Sequence, residues 1–137
     1  MEINWLKLLN IIHFGRLNGQ EMILNFLSFF CARVYLAVLL GLNSLNWFAA
    51  YTINKNVSQN LIVLHYNIDF GVNLIGGAKK IYLIPLLGLI IILINFILSA
   101  VIHRQGKFIV HLLLSGAILA NLFLLAGLAS LYLINFR

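Results

Sequence analysis

Acids are nearly missing from this chain: Glu2, Glu21 and Asp69 are all that 137 residues contain. None falls in the three long apolar runs, residues 34–53, 81–102 and 108–134. Ion-coupled transporters and proton pumps place an ionisable or cation-coordinating group near mid-membrane, so the absence argues against a proton or cation pathway. Charge of either sign is scarce. Only 9% of residues are charged, against about 25% in soluble domains. Cys31 is the single cysteine, which excludes an intramolecular disulfide and a cysteine-based zinc site. A small core residue is the simplest role for it, with lipidation the alternative. The one proline, Pro85, falls in the first turn and a half of the second run, where a missing backbone donor does little damage. The N-terminus lacks a basic n-region, an uninterrupted h-region and a small-residue cleavage site. It is therefore expected to be retained.

What the chain has is apolar surface. It is 63% hydrophobic with a mean hydropathy of +1.03, more than a soluble fold of this length can hide, so the bilayer is the expected solvent. The net charge of +6 comes from nine Lys and Arg that flank the apolar runs. There they orient helices and meet anionic lipid, which argues against a nucleic-acid partner.

Residues 2–14 read as a helix lying in the membrane surface, with Trp5, Leu8, Leu9 and Ile12 on one arc opposite Lys7 and Asn10. Residues 16–20 supply a turn. A second helix starts near Glu21, with Glu21, Asn25 and Ser28 on one side, and lies at the interface or packs on the spans. Arg33 sets the start of span 1, because a guanidinium at the bilayer centre costs roughly 2.5–3.5 kcal/mol. Span 1 is then 34–53, with Trp47, Phe48 and Tyr51 as an aromatic belt. Residues 54–80 form an exposed connection, 81–102 is span 2, and 103–107 is a tight turn into span 3 at 108–134. Lys7, Arg16, Arg33, Arg104 and Lys107 then share one side, and Lys55, Lys79, Lys80 and Arg137 the other. Five against four favours an N-terminus inside and the connection outside.

The spans carry amides: Asn43 and Asn46, Asn95, and Asn121. Interhelical hydrogen bonding is the favoured role, worth about 0.6 kcal/mol per contact, over a polar pore. Gly116, Ala120 and Gly127 bring small residues to span 3, suited to close approach of a neighbouring helix. His13, His103 and His111 lie toward one membrane side, but no carboxylate is in register with them. They read as interfacial residues rather than metal ligands.

Between spans 1 and 2, Leu64, Tyr66, Ile68, Phe70 and Val72 alternate with His65, Asn67, Asp69 and Gly71. A period of two predicts an extended segment with a polar face, a strand or flap on the bilayer or a cap over the span ends. His65 and Asp69 are about 13 Å apart in a straight strand. Without a Ser or Cys nucleophile nearby they argue weakly for catalysis.

His65, Tyr66, Asn67, Gly71, Asn73, Gly76, Lys79 or Lys80, and Pro85 resemble a motif of bacterial multi-span proteins related to the SdpI immunity and signalling family. The chain differs from that motif at Val63 for proline, Asn73 for aspartate, and by one extra residue between histidine and glycine. The stretch is more similar to small uncharacterised membrane proteins of bacteria with reduced genomes. The resemblance implies a bacterial inner-membrane protein with this segment outside, and no particular reaction.

The expectation is an all-α membrane protein with three transmembrane helices, N-terminal interfacial helices at 2–32 and an extended loop, all in one domain. Its expected role is non-enzymatic: an accessory or structural subunit of a larger bacterial membrane complex, needing no cofactor. The alternative is a receptor or immunity protein that binds an extracellular peptide or toxin through residues 64–73. Expected partners are anionic lipids and other membrane proteins. The candidate contact residues are His65, Tyr66, Asn67, Asp69, Asn73, Gly116, Ala120 and Gly127, with Trp5, Arg33, Trp47, Arg104 and Lys107 at the membrane interface.

Overall fold

The computed structural model describes residues 19–57, 61–67, 71–103 and 106–136, with 19–20, 64–67 and 71–74 described by their backbone. Trp5, Asp69, Arg104 and the 2–14 helix lie outside these residues. The elements are α1 (Gly19–Ser28), α2 (Phe30–Asn56), β1 (Leu61–Asn67), β2 (Gly71–Gly77), a 3₁₀ turn (Ala78–Tyr82), α3 (Leu83–Ile102) and α4 (Lys107–Phe136).

Three helical stretches, Phe30–Asn56, Ala78–Ile102 and Lys107–Phe136, are long and apolar enough to cross a bilayer. The chain is a multi-pass, all-α membrane protein, and its amino-acid pattern is the reverse of a soluble bundle. The buried seam mixes small and amide residues with a few large apolar ones: Ala32, Leu39, Asn43, Asn46, Ala50 and Ile53 on α2, Pro85, Gly88, Ile92, Ser99 and Ala100 on α3, Leu114, Ala117, Asn121 and Leu128 on α4. Many large side chains point outward, with Phe108 and Phe123 more than three-quarters exposed. Lipid removes the hydrophobic drive between helices, so small residues that permit close backbone approach decide the packing. Along each seam the buried positions step by three and four, as at Pro85, Gly88 and Ile92 or Leu114, Ala117 and Asn121. That spacing keeps one narrow stripe facing its neighbours.

α4 packs along both α2 and α3. The starts of α2 and α4 and the end of α3 meet at one end of the bundle, and the hairpin lies at the other. At the first end α1 folds back after a single extended residue, Phe29 (φ −72°, ψ 125°). There Ser28 Oγ donates to Asn25 O at 2.7 Å, competing with the backbone ladder. Phe26 of α1 is buried and meets Phe96 edge-on at 5.3 Å. α1 is thus packed on the spans rather than lying apart from them.

The observed helix and strand boundaries refine three expectations. α2 begins at Phe30, so Arg33 sits inside its first turn instead of ahead of it. Its 27 residues make about 40 Å of helix, more than the hydrocarbon thickness, so a helix that starts at Phe30 is compatible with a span that starts at Val34. Span 2 opens as a 3₁₀ turn that carries Lys79 and Lys80, and Pro85 becomes the third residue of α3. The 54–80 connection is no simple loop. Its first residues finish α2, and the rest is an antiparallel hairpin leading into the 3₁₀ turn.

Candidate functional site

Three amides meet in the middle of the bundle. Asn43 is the central residue of α2, and Asn121 stands at the centre of α4. Asn43 Nδ2 donates to Pro85 O at 2.9 Å and to Asn121 Oδ1 at 3.3 Å. Asn46, one turn further on the same face, donates to Asn121 O at 3.2 Å and to Asn121 Oδ1 at 3.4 Å. Asn121 Nδ2 in turn donates to Ala117 O at 3.0 Å and to Gly88 O at 3.5 Å. All three side chains are buried. Gly88 leaves the room: a Cβ there would stand 2.6 Å from Asn121 Oδ1 and 2.8 Å from Asn43 Nδ2. The layer separates two apolar clusters, one around Phe26, Leu39 and Leu114, the other around Ile53, Ile62 and Leu128.

A polar group at this depth is costly unless paired; the three Nδ2 groups find partners inside the bundle, whereas Asn46 Oδ1 is buried without a hydrogen bond. The amides join helices instead of lining a passage. Asn95, the fourth predicted amide, stays outside the layer and donates to Ile91 O of its own helix at 2.9 Å.

The hairpin covers the opposite end. Ile62 is buried with Ala50, Ile53, Ala78 and Leu128, and Trp47 stacks on Tyr82 at 5.9 Å. β1 is also held from its outer edge. Val63 N–H donates to Asn135 Oδ1 at 2.9 Å, and Asn135 Nδ2 donates to Val63 O at 3.0 Å. A side-chain amide from the last turn of α4 thereby imitates a neighbouring strand.

The pairing also corrects the extended-segment expectation. His65, Tyr66 and Asn67 belong to β1 and Asn73 to β2, with His65 opposite Leu74 and Asn67 opposite Gly71. The Leu64–Val72 stretch therefore straddles the tip of a hairpin instead of running as one strand. Register shifts on either side of His65 leave Leu64 extra on β1 and Asn73 extra on β2.

Of the helix-docking residues, Gly116 and Gly127 are exposed with open space around them, and Ala120 is half-buried. They lie off the buried seam formed by Leu114, Ala117, Asn121 and Leu128. Arg33 and Lys107 are exposed at one end of the bundle, and Trp47 is exposed toward the other. Among the described residues, no group of three His, Cys, Asp or Glu side chains is placed to hold a metal.

Sequence reasoning missed Gly88, Asn135 and Tyr35. Gly88 had a signal, a lone glycine inside a Leu- and Ile-rich span. Asn135 had another, an amide placed just beyond hydrocarbon length. Tyr35, whose hydroxyl lies 3.2 Å from both Ser115 Oγ and His111 Nδ1, had none.

No family model, curated protein or solved structure matches the chain.

Proposed function

We propose that this chain is a non-enzymatic subunit of a larger complex in a bacterial plasma membrane, with its N-terminus cytoplasmic and its hairpin outside. The observation that carries the reading is the contrast between the two sides of α4. One side spends its amide and small residues inside the bundle; the other leaves Gly116 and Gly127 exposed with nothing within 4 Å of a Cβ. Small residues facing outward suit the close approach of a helix from another protein. The resemblance of residues 65–85 to the SdpI-related motif supports the bacterial setting.

The test is purification in mild detergent followed by native electrophoresis and identification of bound proteins. A fixed partner at constant ratio, lost in a Gly116→Ile, Gly127→Ile double variant, is expected. A monomer that carries nothing sinks the proposal. The second reading, a receptor or immunity protein, draws on the placement of residues 65–67 and 71–73 at the end of a tethered hairpin. It requires that the protein purify alone and that alanine at His65, Asn67 or Asp69 abolish protection.

A further inference from the structure

At the end of the bundle away from the hairpin, α1, α2, α3 and α4 enclose a cleft of about 120 Å³. Its wall is aromatic, formed by Phe26, Phe29, Phe30 and Tyr35, while His103, Lys107 and His111 supply its polar edge. Phe26 and Phe29 each lie 5.6 Å from the His103 ring, and His103 Nδ1 lies 2.6 Å from Ala100 O. Tyr35 Oη engages His111 Nδ1 at 3.2 Å. This bond fixes the imidazole by one nitrogen and leaves Nε2 without a hydrogen bond among the described residues.

Among the described residues that line this cleft, the one side chain with a permanent charge is Lys107. It is exposed at the edge of the cleft. Glu21, the single carboxylate side chain among the described residues, is not part of the lining. The first turns of α2 and α4 both contribute to the wall, through Phe30, Cys31 and Ala32 and through Lys107 and Val110. α2 has no side-chain cap, so its first backbone N–H groups add positive character to that of the lysine. An apolar cleft at the ends of spans, open beside the exposed Phe30 and edged by cation and donors, matches an amphiphile with a negative head.

We propose that this cleft is a binding site for an anionic phospholipid. The phosphate meets Lys107 and the free edge of His111, and the adjoining chain lies along the Phe29–Phe30 wall. The site is independent of the α4 docking face and of the hairpin, and stands or falls apart from them.

Native mass spectrometry of the full chain, released from detergent carrying equal phosphatidylglycerol and phosphatidylcholine of identical chains, tests the proposal. Phosphatidylglycerol should be retained preferentially. Lys107→Gln should cut that preference about fivefold, the weight of one lysine at a lipid head group. Lys79→Gln, which removes an exposed cation from the other end, should leave it unchanged. Both variants alter exposed side chains outside the buried seams, so folding is preserved. Equal retention of the two lipids overturns the proposal, as does an equal effect of the two lysine variants. Inorganic phosphate displacing phosphatidylglycerol at equal concentration also overturns it, because it assigns the site to a free anion.

Discussion

The side-chain amide of Asn135 makes two hydrogen bonds to one residue 72 positions away, accepting from Val63 N–H and donating to Val63 O. An isolated two-stranded hairpin is marginally stable in water. This pair, with Ile62 buried beneath it, ties the hairpin to the end of α4. Asn135 Nδ2 also donates to Leu131 O at 2.8 Å, which fixes the amide on its own helix.

Asn135→Ala should therefore release β1 while leaving the helices intact. Two neutral hydrogen bonds are worth about 2 kcal/mol, or roughly thirtyfold in opening equilibrium. Because Val63 N–H is directed to Asn135, its exchange with deuterium reads this bond. Faster exchange at Val63 with unchanged protection in α3 is the expected outcome, and unchanged exchange at Val63 would refute the tether.

Asn121→Leu should weaken the bundle by about 1–3 kcal/mol, since it removes the Oδ1 acceptor that Asn43 and Asn46 share and leaves Asn43 Nδ2 only Pro85 O and Asn46 Nδ2 only the backbone O of residue 121. Unfolding in a graded mixture of mild and denaturing detergent measures the change. A double-mutant cycle with Asn43→Leu should return a coupling between about 0.6 and 1.7 kcal/mol. Additive effects would mean that the two amides do not interact.

Two glycine-to-alanine variants should behave differently. At Gly88 the added methyl meets Asn121 Oδ1 and Asn43 Nδ2, and overpacking of this kind costs about 1–3 kcal/mol. At Gly116 there is open space, and the change should leave stability unchanged or raise it by up to about 1 kcal/mol through helix propensity. The same detergent titration compares them, and equal stability of the two variants would rule out the close packing at Gly88.

Membrane orientation is testable with the chain's own chemistry. Cys31 is exposed and has no second cysteine to confuse labelling. With the N-terminus inside, an impermeant maleimide should reach Cys31 only in inverted vesicles. A Cys31→Ala, Lys79→Cys variant should be labelled in intact cells. The opposite pattern inverts the assignment.

The three spans were legible because their Leu and Ile runs exceed anything a soluble core of this size needs. Their ends were less so. The cost of burying Arg33 moved the predicted start of span 1 to Val34, but a helix of 27 residues has length to spare and holds the arginine in its first turn. The amides announced interhelical bonding, yet which of them would meet depended on helix rotation. Asn43 and Asn46 share a face, whereas Asn95 turned back on the Ile91 carbonyl of its own helix. The hairpin was hidden because apolar and polar residues alternate through its tip, and residues 67–71 contain no Asn-Gly or Asp-Gly pair to mark a turn.

The amide layer also has a mechanical consequence. Sliding α4 by one turn against α2 moves Asn121 about 5.4 Å from its partners and sets an unpaired amide against the apolar positions that flank the layer, Leu39 or Ala50. In a thinner or thicker bilayer the helices therefore do not adjust their lengths by shearing past one another. The bundle tilts as a single body, and the hairpin fastened to its end tilts with it.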